Sequence, residues 1–86
     1  MTIINLKTTP ESIKEYNEDA LLIDGFNDAI IGMCLQFGQL PVVAYDYEKC
    51  IQIIMKNMSR DDALEYFELN VINSYMGMNT PVFIVL

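Results

Sequence analysis

The chain has 86 residues. It contains 5 lysine and arginine residues and 12 aspartate and glutamate residues, which gives a formal net charge of −7. This length predicts one domain over residues 1–86. The basic residues are scattered, which argues against direct binding of nucleic acid or of an anionic membrane surface. The acidic composition is explained most simply by solubility. It is also compatible with a basic protein partner or with imitation of nucleic acid.

The apolar content is 52%, which is high for so short a chain, since a small domain buries a modest share of its surface. We therefore expect a homo-oligomer, in which a second copy covers apolar surface. Cys34 and Cys50 lack the spacing of a disulfide framework or a metal site, which predicts two reduced, buried thiols. No signal peptide and no membrane-spanning run is recognisable, so a cytoplasmic protein is the expectation.

The N-terminal residues 1–19 predict a weakly ordered arm with one short helix. Residues 3–6 form a short strand or a loose segment. Thr9 is a good helix cap and Pro10 suits the first helical position, so the helix begins there and ends near Asn17.

The middle of the chain predicts up to three strands joined by tight turns that contain glycine, the residue that most readily adopts a positive φ. The predicted strands are residues 20–23, 29–37 and 42–45, and the predicted turns are residues 24–25 and 38–41. Gly32 interrupts the second strand and indicates a bulge or a close approach of another backbone. A helix over residues 26–37 is the alternative, which the β-branched pair at 30–31 disfavours.

The second half of the chain has clear helical spacing. Asp46 is a good N-cap, and the apolar residues after it fall on one helical stripe. The stripe consists of Tyr47, Cys50, Ile51, Ile54, Met55 and Met58. Ser59 and Asp62 form a capping box for a second helix, which we expect to run to about residue 76. Residues 82–86 predict a final strand, buried on both faces or by a partner chain.

These elements predict an α+β fold. The two long helices are expected to pack on one face of a small, mainly antiparallel sheet, which makes a two-layer sandwich.

The loop of residues 24–28 is the first candidate site. Asp24, Asn27 and Asp28 place two carboxylates and an amide in a short loop, and Asp46 can join them from the end of another strand. Hard cations such as Mg²⁺ prefer oxygen ligands at this density. The same residue types are favoured in ordinary turns, so a plain turn is the alternative.

The tyrosines Tyr45 and Tyr47 flank Asp46 and form a second candidate site. An aromatic pair beside a carboxylate can hold a planar ligand. The alternative is that both rings close the core at a junction between strand and helix.

The second long helix carries the third group of candidates. Glu65 and Glu68 lie one helical turn apart and can share a target, with a solvated helix face as the alternative. Asn70 is unusual in mid-helix and needs a buried partner if it lies toward the sheet.

The sequence has no histidine, the usual general base near neutral pH and the usual zinc ligand. Neither cysteine has a basic partner nearby in the sequence, as a cysteine nucleophile normally needs. No phosphate-binding or hydrolase motif is present. We expect no catalytic residue and no cofactor.

Three stretches, taken together, carry a resemblance. They are residues 24–32 (DGFNDAIIG), residues 45–51 (YDYEKCI) and residues 58–71 (MSRDDALEYFELNV), followed by Gly77 and Thr80-Pro81. They resemble a group of short, uncharacterised α+β proteins encoded by bacteriophages and prophages, over roughly residues 20–83. That group often has acidic residues where Asn27 and Met78 stand here, which weakens the metal-site hypothesis. Its motifs are linked to no known reaction.

A phage-like origin implies a function by stoichiometric binding, because small acidic phage proteins often block a host defence system. We therefore expect a non-enzymatic inhibitor in the host cytoplasm, of the anti-CRISPR or another anti-defence type, which binds a host protein or a small nucleotide-like ligand. Residues 82–86 are the expected contact between copies. One alternative is a small metal-binding or metal-dependent enzyme that uses Asp24, Asp28 and Asp46 with Glu65 or Glu68. The other is a structural or assembly protein.

Overall fold

A sheet of four strands forms the centre of the fold in the computed structural model, which describes residues 2–5, 10–72 and 77–86. The strands are β1 (Thr2–Asn5), β2 (Ile30–Gln36), β3 (Gln39–Asp46) and β4 (Val82–Ile84). They lie in the order β1-β2-β3-β4, with the first three antiparallel and β4 parallel to β3. The predicted α+β class with a mainly antiparallel sheet is confirmed.

The helices begin where local capping signals predict. They are α1 (Pro10–Tyr16), α2 (Tyr47–Ile54) and α3 (Arg60–Phe67), and α3 continues as a π-helical turn over Glu68–Ile72. The Asp46 carboxylate accepts from the Lys49 N–H at 3.2 Å, and the Ser59 hydroxyl accepts from the Asp62 N–H at 3.2 Å. These bonds satisfy backbone donors that every helix start leaves free.

The predicted continuation of the last helix to residue 76 lies outside the described residues. Over the described ranges, no helix combines the length and the apolar character that crossing a bilayer takes.

Helices α2 and α3 pack on one face of the sheet, as predicted. Alternation along the strands places Met33, Val43 and Tyr45 on this face. They are buried in one cluster with residues of all three helices, namely Ile13, Cys50, Ile51, Ile54, Ala63 and Phe67. The Phe67 ring is the centre of this cluster, since it packs edge-on against Phe26, Tyr47 and Phe83 at centroid distances of 6.2, 5.4 and 5.0 Å.

The opposite face of the sheet carries a second, smaller apolar cluster. Cys34, Val42 and Ala44 are fully buried there and pack against the half-buried Val82 and Ile84. The buried state of both cysteines agrees with the sequence prediction. The predicted bulge at Gly32 is also present, because the pairing with β3 advances two residues on β2, from residue 30 to 32, but only one residue on β3.

Two strand predictions need correction. Residues 20–23 form no strand, and isolated hydrogen bonds hold them: the Leu21 N–H donates to the Asn79 carbonyl at 3.2 Å, and the Ile23 N–H donates to the Tyr45 hydroxyl at 2.8 Å. Both edges of β3 are occupied by β2 and β4, so this apolar run crosses the end of the sheet without joining it. The final strand is shorter than residues 82–86, since Val85 and Leu86 lie beyond it and are exposed.

The turn between β2 and β3 is also tighter than predicted. It consists of residues 37–38, and strand pairing resumes at Gln39. Gly38 has a φ of 72°, a conformation that glycine adopts without strain.

Candidate functional site

The loop of residues 24–28 is anchored by its apolar residues and exposes its polar ones. Gly25 turns the chain with a φ of 90°, and the Phe26 side chain is buried against Phe67. The Ala29 N–H then donates to the Phe26 carbonyl at 2.9 Å and closes a short 3-10 turn over Asn27–Ala29. Asp24, Asn27 and Asp28 are all exposed, so the loop presents acidic and amide groups on a fixed support.

Asp24 and Asp28 line two different shallow grooves beside α2. The Asp24 groove has a volume of about 300 Å³, and its lining residues are Asp24, Gly25, Phe26, Ile53, Ile54, Asn57, Met58 and Tyr66. The Asp28 groove has a volume of about 400 Å³, and its lining residues are Asp28, Lys49, Gln52, Ile53 and Lys56. Ile53 is the residue common to both grooves, so the two carboxylates do not share a site.

Among the described residues, this arrangement provides no set of ligands for a metal ion. Within residues 2–5, 10–72 and 77–86, no three acidic or cysteine side chains are placed to hold one metal ion. Asp46 is engaged as the cap of α2. Glu65 and Glu68 lie on the outer side of α3 and of the π-helical turn, exposed to solvent.

The tyrosine pair Tyr45 and Tyr47 belongs to the core and does not form a ligand platform. Tyr45 is fully buried, stacks on Phe83 at 5.7 Å, and uses its hydroxyl to accept from the Ile23 N–H. Burial raises the pKa of this hydroxyl above its usual value. Tyr47 is half-buried and packs edge-on against Phe67. Of the two alternatives for this pair, closure of the core is the one observed.

Asn70 lies away from the sheet. Its side-chain amide is exposed and donates to the Tyr66 carbonyl, one turn earlier, at 3.0 Å. It therefore needs no buried partner. This bond lies at the π-helical turn. Such turns are rare in proteins overall, but those that occur are often at functional sites.

The two thiols are poor nucleophiles. Burial, with a smaller contribution from the Asp46 carboxylate, raises the pKa of the Cys50 thiol to about 12. Burial also raises the pKa of the Cys34 thiol. Since the thiolate is the nucleophilic form, both groups are protonated and unreactive near neutral pH.

The sequence did not identify a strip of exposed apolar residues on the last helix. Tyr66, Leu69 and Ile72 follow one another at intervals of one helical turn and are 46%, 61% and 40% exposed. Exposed acidic residues accompany them, namely Asp62, Glu65 and Glu68. We call these six residues the α3 face. Sequence periodicity alone could have found Tyr66, Leu69 and Ile72, because these apolar residues fall outside the buried stripe of Ala63 and Phe67.

The α3 face extends from the Asp24 groove to a third groove at the β2–β3 turn. Tyr66 lines the Asp24 groove at one end, and Ile72 lines the turn groove at the other. The turn groove has a volume of about 430 Å³, and its lining residues are Gln36, Gln39, Ile72, Gly77, Met78, Thr80, Pro81 and Val82. Phe37, between the two glutamines, is fully exposed, as are large parts of Leu40 and Met78. Ile72 and the exposed Met78 thus line the same groove.

Comparisons of the chain with protein-family models, with curated proteins and with solved structures found no match.

Proposed function

We propose that the protein is a non-enzymatic binding protein of the phage type. It inhibits a host defence system by stoichiometric association with a basic protein of that system. The observation that carries the proposal is the α3 face, where exposed apolar side chains alternate with carboxylates. Contiguous exposed apolar surface on a small protein marks an interaction site. The resemblance to phage-encoded proteins supplies the host-defence part of the proposal.

The composition of the α3 face matches the anatomy of a protein interface. Tyr66, Leu69 and Ile72 provide the apolar centre, and tyrosine is among the residues that contribute most to binding energy. Asp62, Glu65 and Glu68 provide a polar rim of one sign. A partner with a complementary basic rim is attracted over a distance and oriented as it docks.

The distribution of the basic residues leaves the acidic rim available. Lys49 and Lys56 lie beside the Asp28 groove on α2, and the Arg60 guanidinium is held by the Glu48 carboxylate at 2.7 Å. In the described part of the chain, Glu65 and Glu68 form no ion pair with any of these groups. Their charges are therefore directed to solvent, where a basic partner can meet them.

The protonated state of the thiols supports the non-enzymatic part of the proposal. Cys34 and Cys50 are the strongest nucleophiles that the sequence offers, and burial holds both as thiols. Binding that needs no chemical step requires only the surface described above.

Self-association through β4 is the second part of the proposal. Among the described strands β4 is an edge of the sheet, and residues 82–86 contain no charged side chain. An uncharged edge strand can pair with the same strand of a second copy across a twofold axis. Such pairing extends both apolar clusters, because Phe83 packs against one and Val82 and Ile84 pack against the other.

The dimer is tested by sedimentation of the wild type and of Val85→Lys, which places a charge beside the strand at an exposed position. We expect a dimer for the wild type and a monomer for the variant. A monomeric wild type at working concentration contradicts self-association and leaves the α3 face unaffected.

The binding proposal is tested with a matched pair of variants. Ile72→Ser alters the α3 face at a residue that is 40% exposed, and Leu22→Ser alters a residue that is 39% exposed and lines none of the grooves. The partner is captured from host lysate, identified, purified and titrated against each variant. We expect a basic protein that binds in a 1:1 ratio of chains, with affinity at least about tenfold lower for Ile72→Ser and unchanged for Leu22→Ser. Equal affinity of the two variants, or an acidic partner, contradicts the proposal.

A further inference from the structure

Three polar residues at the Asp24 groove have side chains that bond to no other described residue. Asp24, Asn57 and Tyr66 all border the groove, and their side chains carry a carboxylate, an amide and a hydroxyl group. Across the described ranges, none of these three side chains forms a hydrogen bond or an ion pair with another residue. Together they offer several acceptor oxygens to a ligand that carries N–H donors.

The floor of the groove is apolar. The Phe26 and Ile54 side chains are 9% and 8% exposed there, and the half-buried Ile53 and Met58 lie beside them. The Tyr66 ring, at the edge of the groove, is exposed enough to stack on a flat group. A long side chain with an apolar stem and a polar, planar head fits these surfaces.

We propose that the Asp24 groove binds the guanidinium group of an arginine residue that the basic partner presents. The proposal rests on the proposed function, since it assigns one residue type of that partner. The guanidinium group is planar, cationic and rich in donors, so it can pair with the Asp24 carboxylate through two parallel hydrogen bonds and stack on the Tyr66 ring. Its methylene stem lies over the apolar floor.

Other ligand chemistries fit the groove less well. A lysine ammonium group is a compact, strongly hydrated point charge that neither stacks nor pairs in a forked geometry. A phosphate-bearing ligand meets the Asp24 carboxylate and a chain of net charge −7, which repel it. A neutral nucleoside can stack and donate hydrogen bonds, but it leaves the carboxylate charge uncompensated.

The groove is formed before the ligand arrives. The turn at Gly25 places Asp24, and Phe26 is fixed by its contact with Phe67. The other wall is set by α2, by the segment that follows it and by Tyr66 near the end of α3. Binding therefore orders few groups of the protein, which favours affinity.

The experiment is a nuclear magnetic resonance titration of the labelled full chain with N-acetyl-arginine amide, and in parallel with N-acetyl-lysine amide and with guanosine. We expect saturable shifts of the Gly25, Phe26 and Asn57 backbone amides with the arginine compound, and shifts at least about fivefold smaller with the lysine compound at equal concentration. Guanosine is expected to leave these amides unchanged.

Two variants with equal change in charge give the matched control. Asp24→Asn removes the carboxylate in the groove, and Asp19→Asn removes an exposed carboxylate that lines none of the three grooves. Asp24→Asn is expected to weaken arginine binding about tenfold, and Asp19→Asn to leave it within about twofold. Asp24 is exposed and forms no contact that the fold needs, so the variant is expected to melt at the wild-type temperature.

Three results overturn the proposal: equal shifts with the arginine and lysine compounds, equal weakening by both variants, or shifts with guanosine alone. The first two show a general effect of charge, and the third shows a site for a neutral base. Any of them leaves the Ile72→Ser test of the α3 face standing, because that test reads the affinity for the whole partner.

Discussion

Helix α2 and the helix of residues 60–72 pack on the same face of the sheet, yet they place their apolar residues in opposite ways. Helix α2 ends at Ile54, earlier than its predicted stripe, and of that stripe it buries Cys50, Ile51 and Ile54, while Met55 beyond its end is exposed. The later helix buries only Ala63 and Phe67 and exposes Tyr66, Leu69 and Ile72. An apolar stripe that a core covers serves the fold, whereas apolar residues beyond that stripe are the ones available for the binding that we propose. The difference separates α2, a structural helix, from the later helix, which we propose as the interaction helix.

The largest expected effect comes from the one aromatic anchor of the interaction helix. Phe67 is fully buried and contacts three other aromatic rings. Phe67→Ala is expected to lower the free energy of unfolding by about 3–5 kcal/mol, since it leaves a cavity at the centre of the core. That is a large part of the about 5–15 kcal/mol that holds a typical domain together. Urea denaturation followed by circular dichroism measures the loss.

The control for this variant lies two residues further along the same helix. Leu69 is exposed, so Leu69→Ala is expected to change the free energy of unfolding by less than about 0.5 kcal/mol. A similar loss of stability in both variants shows that the two sides of the helix do not differ in role, and the comparison with α2 then fails.

A smaller effect is expected at Tyr45, which ties the irregular segment of residues 20–23 to the sheet. Tyr45→Phe removes the acceptor of the Ile23 N–H and leaves that donor without its partner, at a cost of about 1–3 kcal/mol. Amide hydrogen exchange at Ile23 is expected to accelerate by more than the global loss of stability explains. Tyr16→Phe, at an exposed position, is the control. Unchanged exchange at Ile23 in Tyr45→Phe contradicts the role given to this bond.

The caps of the two helices sharpen the comparison further. Asp46→Ala and Ser59→Ala each remove the acceptor of one backbone N–H, and each is expected to cost about 1 kcal/mol. The loss in α3 is expected to fray its first turn selectively, because fewer buried side chains hold that helix. Thermal melting gives the stability and hydrogen exchange gives the location. Asp46→Asn and Ser59→Thr keep a capping oxygen and are expected to behave as the wild type.

The parts of the fold that could be predicted from the sequence are those fixed by neighbouring residues. The caps at Asp46 and Ser59, the turn at Gly25 and the bulge at Gly32 depend on local chemistry, and all four are present. The apolar run of residues 20–23 was assigned wrongly, because four apolar residues do not distinguish a strand from an irregular crossing segment. That distinction depends on which strand edges remain free after β4 has paired with β3.

The candidate site follows the same division. The sequence offers two interpretations of Asp24, an ordinary turn residue or a metal ligand together with Asp28, because both carboxylates are close along the chain. The fold turns Asp24 toward a groove with Asn57 and Tyr66 instead, residues that no local pattern links to it. The helical spacing places Tyr66 and Leu69 outside the buried stripe, but the extent of their exposure depends on how far the core reaches across the helix.

The smallest expected effect concerns the ion pair that joins the two compared helices. The Arg60 guanidinium donates to both Glu48 carboxylate oxygens, at 2.7 and 2.8 Å, and this hydrogen bonding lowers the pKa of Glu48. A carboxyl group whose pKa falls on folding stabilises the fold fully above its unfolded-state pKa of about 4.3, and this contribution disappears as the pH falls through the folded-state value. Both side chains are 48% exposed, so solvent screens the pair and the change in stability is small.

The measurement is a pH titration of the Glu48 carboxyl carbon in the wild type and in Arg60→Gln. We expect the variant to raise the pKa of Glu48 toward its ordinary value while the Asp46 and Ser59 caps keep both helices in place. Added salt is expected to move the wild-type pKa in the same direction, since it screens exposed charges. If Glu48 titrates identically in both proteins, the contact does not persist in solution. The two helices are then coupled by their packing in the shared apolar cluster, which includes the edge-on contact between the Tyr47 and Phe67 rings.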